Sequence, residues 1–263
     1  LLDIFIYCLF FGAFSGLCSG LLGVGGGIVI VPFLAWLLPL HGMPVEIKMQ
    51  TAIATSLATI IVTSIAAIYA QNKRGAIDWK IVKFVTPGIA IGAFFGADLA
   101  HYLSTQLLSI IFGSFLLLNG ARMALKLTPN PERQLPSALP LGISGSILGM
   151  LSTLIGIGGG TFTVPYMLLH NVPMKKAIAF GSTFGLPIAI FGAISFAILG
   201  LKNSIPMEGN IGYINIPAFL GISIASVFAT MFGVYLAHTI PTATMKKVFA
   251  VIMLFVGLKM LLG

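Results

Sequence analysis

Gly23-Val24-Gly25-Gly26-Gly27-Ile28-Val29-Ile30-Val31-Pro32-Phe33-Leu34 is a glycine cluster set between apolar runs, and it occurs twice. Its second copy is Gly156-Ile157-Gly158-Gly159-Gly160-Thr161-Phe162-Thr163-Val164-Pro165-Tyr166-Met167, with glycines and proline at the same spacing. The match extends outward in both directions. Upstream, Gly12 and Gly16 correspond to Gly145 and Gly149. Downstream, Ala52-Ile53-Ala54-Thr55-Ser56 corresponds to Ala179-Phe180-Gly181-Ser182-Thr183, and Gly75-Ala76-Ile77-Asp78-Trp79 to Gly209-Asn210-Ile211-Gly212-Tyr213. Leu99-Ala100-His101 then matches Leu236-Ala237-His238, and Gly120-Ala121-Arg122-Met123 matches Gly257-Leu258-Lys259-Met260. The order never changes, so the chain reads as a duplication. The first repeat covers 1–128, a connecting loop rich in proline covers 129–137, and the second repeat covers 138–263.

The apolar stretches around these motifs set the environment. Of 263 residues, 58% are hydrophobic and 8% charged, against about 25% charged in a soluble domain. No charge falls between Ile4 and Leu40, and roughly 20 apolar residues cross a bilayer as a helix. The expectation is an all-α, multi-pass membrane protein. The spans lie at about 3–22, 49–71, 80–101 and 104–125, then at about 138–155, 177–200, 214–237 and 243–262. Short apolar pieces at 26–39 and 159–170 follow the glycines and are too short to cross as regular helices. The N-terminal stretch lacks a basic leader and a small-residue cleavage site, so it is not read as a signal peptide.

The net charge of +8 does not indicate nucleic acid, because the cations sit at the ends of apolar segments, where they set orientation. If each short piece returns the chain to the side it came from, each copy has five elements and the copies are inverted. Lys73, Arg74, Lys80, Lys83, Arg122, Lys126, Arg133, Lys175, Lys176, Lys246 and Lys247 then share one side, and only Lys48, Lys202 and Lys259 lie on the other. Parallel copies of four spans divide the cations more evenly. The positive-inside rule favours inversion, with both termini outside. Cys8 and Cys18 share the first apolar segment and read as packing residues rather than a disulfide framework or metal site.

Gly-x-Gly-Gly-Gly is a poor helix, since each glycine costs about 1 kcal/mol against alanine. The chain is expected to unwind there, near the midplane, with its amides turned to protein or a watery cavity. A helix restarting after the glycines aims its N-terminal amides and positive dipole end back at that spot. The candidate anion site is therefore Gly25, Gly26 and Gly27 with Gly158, Gly159 and Gly160. Thr55, Ser56, Ser182 and Thr183 add hydroxyl donors at matching points of the next span. Small residues also let membrane helices pack closely, and Ser and Thr also bond their own backbone; the duplication of both features favours a site. A soluble phosphate loop is excluded, because no Gly-Lys-Ser/Thr follows.

The duplicated Gly-x-Gly-Gly-Gly…Pro, the Ala52-x-x-Thr55-Ser56 stretch and the Gly75-x-Ile77-Asp78-Trp79 segment together resemble the TauE/SafE family of sulfite-exporter-like permeases, over essentially the whole chain. The resemblance implies transport of sulfite or a related organosulfur anion such as sulfoacetate, commonly as export from bacteria and so across the bacterial inner membrane. The second copy departs from the pattern at Ser182-Thr183, where the hydroxyl order is reversed.

Asp98 and His101 lie at i and i+3 and can share a helix face, which makes them candidates for proton coupling. Their place near a span end also fits an interfacial role. His238 is the counterpart of His101. Arg122 and Lys259 lie near helix ends and can snorkel. Lys48, at the start of a span, could line an anion-attracting vestibule. His41 and His170 read as loop residues. Trp36, Trp79 and Tyr213 read as interfacial anchors. The expected function is a secondary carrier working by alternating access. Export of a monovalent anion from a negative interior is downhill by about 2.3 kcal/mol per 100 mV. A proton- or sodium-coupled importer is the alternative. An intramembrane enzyme lacks a catalytic set in mid-span. The expected partners are a small anionic substrate and membrane lipid, with a homo-oligomer left open; no nucleic acid, metal or cofactor is expected.

Overall fold

A computed structural model describes residues 2–22, 25–124, 135–202, 209–236 and 242–262. His238 and most of the connecting loop lie outside the described residues. Among the described residues the regular structure is helical apart from one small hairpin. The helices are α1 (Leu2–Leu22), α2 (Gly27–Leu40), α3 (Lys48–Asn72), α4 (Trp79–Tyr102), α5 (Thr105–Ala124), α6 (Ala138–Ile155), α7 (Gly160–Leu169), α8 (Met174–Lys202), α9 (Ile216–Leu236) and α10 (Thr242–Leu262). Strands β1 (Asn210–Ile211) and β2 (Ile214–Asn215) pair antiparallel between α8 and α9.

Among the described residues six helices are long and apolar enough to cross a membrane: α1, α3, α4, α6, α8 and α9; α5 and α10, expected as spans at 104–125 and 243–262, are not among them. At 1.5 Å per residue, α2 reaches about 21 Å and α7 about 15 Å, short of the roughly 30 Å hydrocarbon core. Both short helices stop in the same way. After α2 the Met43 amide donates to Leu38 O at 3.2 Å and Gly42 turns left-handed with φ 86°. After α7 the Val172 amide donates to Met167 O at 3.1 Å and Asn171 takes φ 61°. Glycine and asparagine are the residues that accept that turn cheaply. His41 and His170 occupy these ends, each with Nδ1 on a carbonyl one turn back, Leu37 O at 3.1 Å and Tyr166 O at 2.8 Å.

The helices before and after the connecting loop are interleaved. α1 packs on α9 and α4 on α6; α5 packs on α10 and α3 on α8; α3 also meets α9, and α4 meets α8. Glycines set the close approaches. A Cβ on Gly12 would stand 2.6 Å from Ile222 O, and one on Gly16 would stand 2.6 Å from Ser226 O, so α1 and α9 meet backbone to backbone. Gly96 on Met150 and Gly149 on Ile89 do the same for α4 and α6. Close packing replaces the hydrophobic effect as the association force between helices in lipid. α3 and α8 are the most enclosed of the six spans. Large apolar side chains such as Phe10, Phe14, Phe95, Phe228 and Phe255 are exposed, as suits a surface that meets acyl chains. Trp36 and Trp79 are exposed in keeping with an anchoring role, whereas Tyr213 is only 4% exposed. The anchor reading of Tyr213 is therefore corrected: the hairpin turns it inward, against α8.

Candidate functional site

The two glycine stretches meet. α1 ends at Leu22, Gly25 and Gly26 take φ of 76° and 77°, and α2 restarts at Gly27. α6 ends at Ile155, Gly156 takes φ 73°, and α7 restarts at Gly160. The Ile157 amide donates to Ser152 O at 2.9 Å, closing the end of α6. A Cβ on Gly27 would collide with the Gly156 carbonyl, and one on Gly25 would lie 3.2 Å from Gly158 Cα. Only glycine permits this backbone contact between the two segments.

α3 and α8 brace the junction from two sides. Ser56 Oγ donates to Gly156 O at 2.8 Å, and Ile53 Cα lies 2.9 Å from where a Gly156 Cβ would be. On α8, a Gly159 Cβ would stand 2.7 Å from Gly181 O and 2.8 Å from Gly185 N. A crevice with about 190 Å³ of non-atom space opens here, lined by Ser19, Gly25, Thr63, Ser64, Gly158, Gly159, Gly181, Ser182 and Gly185 among others. It is too narrow to admit a water molecule, and none of its lining side chains is charged. Gly158 and Gly159, which lead into α7, form part of its wall. A larger cavity with about 960 Å³ of non-atom space lies between α1 and α2; its walls are mostly aromatic and apolar, including Phe10, Phe14, Phe33 and Trp36, with Tyr7 and His41 at their polar positions.

The residues expected from the sequence fall into two groups. Gly25, Gly158, Gly159 and Ser182 line the crevice. Gly26, Gly27 and Gly160 stand beside it in the glycine junction, where Gly160 Cα lies 2.7 Å from a Gly181 Cβ. Ser56 spends its proton on Gly156 O, and Thr183 and Ser182 donate to carbonyls of their own helix, Ala179 O at 2.8 Å and Ile178 O at 3.3 Å. Thr55 Oγ1 accepts from the Asn215 amide at 3.0 Å. Asp98 and His101 do not line the crevice; His101 Nδ1 shares a hydrogen bond with Tyr213 Oη at 3.0 Å.

Ser19, Thr63 and Ser64 were missed. A readable signal existed: Thr51, Thr55, Thr59 and Thr63 recur every fourth residue, a hydroxyl stripe along one face of α3. All four are essentially fully buried. Among the described residues no group of three His, Cys, Asp or Glu side chains is placed to hold a metal ion. The arrangement offers backbone amides, a helix N-terminus and neutral hydroxyls, a donor set for binding an anion without desolvating a buried cation.

The family model described as sulfite exporter TauE/SafE matches residues 8–260. A probable membrane transporter protein of Haemophilus influenzae is 35% identical over 259 residues, covering 98% of each chain. One from Methanocaldococcus jannaschii is 30% identical over 260 residues, covering 95% of this chain and 93% of the relative. The Bacillus subtilis probable membrane transporter protein YunE is 29% identical over 219 residues, covering 76% and 80%. No solved structure matches the chain.

Proposed function

We propose that this chain, which belongs to the sulfite exporter TauE/SafE family, is a secondary carrier that exports sulfite or a related organosulfonate by alternating access, in the bacterial inner membrane. Membership and the full-length relatives make it a multi-pass membrane transporter; substrate, direction and mechanism are the proposal. The observation that carries it is the meeting of Gly25 and Gly27 with Gly156–Gly158, beside a crevice with hydroxyl walls and no charge.

The reciprocal helix pairing fits two copies related by a two-fold axis, and the distribution of cations favours the inverted arrangement of such copies. The first helix of each copy packs on the fourth of the other, α1 on α9 and α6 on α4, while α3 pairs with α8 and α5 with α10. That is the pattern of two copies exchanged across a two-fold axis. Inverted repeats with glycine-interrupted elements at their interface are a recurring plan for carriers. On this reading the amides at the α7 start and the hydroxyls of Ser64 and Ser182 receive the anion oxygens. The crevice as it stands is closed, so binding needs α7 and α8 to shift relative to α3.

A proton- or sodium-coupled importer is the second reading. The observation in its favour is that His101 reaches, through Tyr213, the same hairpin that bonds Thr55. Purified protein in liposomes separates the two readings, with sulfite, sulfate, sulfoacetate and taurine tested under an imposed potential, with and without a pH gradient. Saturable sulfite flux that follows the potential alone supports export. Flux that requires the proton gradient and disappears in Asp98→Asn supports the importer. No flux with any of the four removes the substrate assignment.

A further inference from the structure

The hairpin between α8 and α9 has a placement that its sequence counterpart does not share. In the first copy, Gly75–Trp79 runs at the surface: Trp79 is 46% exposed and donates from Nε1 to Asn72 Oδ1 at 3.0 Å. In the second copy, Gly209–Tyr213 and the residues after it turn inward. Tyr213 is 4% and Asn215 3% exposed. The turn is internally braced. The Ile216 amide donates to Gly209 O at 2.8 Å, Asn215 Nδ2 donates to Asn210 Oδ1 at 2.8 Å, and Asn215 Oδ1 accepts from the Ala218 amide at 3.0 Å.

We propose that the hairpin 209–215 is a cap over one end of the transport site, and that Tyr213 and Asn215 are positioning residues that hold it shut by gripping His101 and Thr55. The inference rests on the reading of the glycine crevice as the transport site. The hairpin is fixed to α8 by rigid backbone packing: a Gly200 Cβ would lie 2.5 Å from Tyr213 N, and a Gly212 Cβ 2.9 Å from Ala197 Cα. The Tyr213 ring meets Phe196 of α8 edge-on, with centroids 6.1 Å apart. Its polar ties to the first copy are of another kind. One is the Asn215 amide on Thr55 Oγ1 of α3 at 3.0 Å; the other is Tyr213 Oη on His101 Nδ1 of α4 at 3.0 Å. Strand β2 also packs along α3, so moving α8 with the cap against α3 and α4 breaks two directional bonds and parts that packing.

The position along α3 gives this mechanical arrangement its meaning. From the Lys48 end inward, α3 meets the hairpin at Thr55, the glycine junction at Ser56 and the crevice at Thr63 and Ser64. The hairpin thus sits on the second step of the hydroxyl stripe, one turn inward of Thr51 and two turns before Thr63. Thr59 lies one turn beneath Thr55 on the same face and is fully buried, so it reports whether the cap is open.

The test uses Thr59→Cys in a chain carrying Cys8→Ala and Cys18→Ala, reconstituted in liposomes of defined orientation and exposed to a membrane-impermeant cationic thiol reagent. Tyr213→Phe keeps the ring packing and removes the bond to His101. Thr55→Val keeps the shape and removes the acceptor for Asn215. In each variant, labelling from the hairpin side is expected to rise roughly fivefold, the population shift that one net hydrogen bond carries, with no rise from the opposite side. Unchanged labelling in both variants, or an equal rise from both sides, overturns the cap. The readout needs no substrate, so it judges the cap even if sulfite flux fails and the functional reading falls with it.

Discussion

Ser56 Oγ donates a hydrogen bond to the carbonyl oxygen of Gly156, a hundred residues further along the chain, at 2.8 Å. The bond joins α3 to the turn that ends α6. It satisfies a carbonyl that α6 leaves behind at its C-terminus, in a place where water does not reach. The serine foreseen as a substrate donor is thus, in this closed form, a clasp between the two halves.

Ser56→Ala removes that donor and leaves the Gly156 carbonyl buried without it. The cost expected is about 1–3 kcal/mol, the penalty for an unsatisfied buried group. It is read as a lowered thermal midpoint of the purified protein in detergent. An unchanged midpoint would mean that the carbonyl finds another donor and that the clasp contributes little.

The same junction shows what a linear reading can and cannot reach. Most helix limits were legible, because apolar length is a local property: the span placed at 80–101 is Trp79–Tyr102, and that at 138–155 is Ala138–Ile155. The hairpin was not, since strands of two residues, Asn210–Ile211 and Ile214–Asn215, are too short to show an alternating pattern. Tyr213 was misread for a related reason: a tyrosine at the edge of an apolar segment looks the same whether it faces lipid or turns inward. Ser64 was missed because its role depends on Gly185 and Gly159 coming within reach from distant parts of the chain.

Two glycines on α6 separate packing from propensity. A Cβ on Gly149 would stand 2.5 Å from Ile89 O, while one on Gly142 would find its nearest neighbour, Phe84 O, at 3.6 Å. Alanine is worth up to about 1 kcal/mol over glycine within a helix. Gly142→Ala is expected to be neutral or stabilising. Gly149→Ala is expected to destabilise by about 1–3 kcal/mol through forced separation of α4 and α6. Thermal midpoints of the two variants, compared side by side, decide the matter; equal shifts would contradict the backbone contact.

Thr163 is fully buried, and its hydroxyl has no hydrogen-bond partner in the structure. The matching position of the first copy holds Ile30, also fully buried. Thr163→Val keeps the shape and removes the unpaired group, so a gain of about 1 kcal/mol is expected. The measured outcome is a higher thermal midpoint with sulfite flux unchanged. A fall in flux with a higher midpoint would instead place the hydroxyl on the substrate path.

Ser64 and Thr183 set the sequence-derived and structure-derived views of the site against each other. Ser64 and Ser182 line the crevice, Ser182 with a long 3.3 Å bond to Ile178 O that an anion can replace, whereas Thr183 does not line it and bonds the carbonyl of Ala179 at 2.8 Å. A hydrogen bond to a charged group is worth about 1.5–3 kcal/mol, which is roughly tenfold or more in affinity. Ser64→Ala and Ser182→Ala are therefore expected to raise the KM for sulfite by about that factor, with little change in thermal midpoint. Thr183→Val should leave the KM near its original value, because the lost bond is internal to α8. Initial rates in liposomes across a range of sulfite concentrations test all three. If Thr183→Val weakens sulfite while Ser64→Ala does not, the anion binds on the other face of α8, and the crevice is a packing seam between α3, α7 and α8.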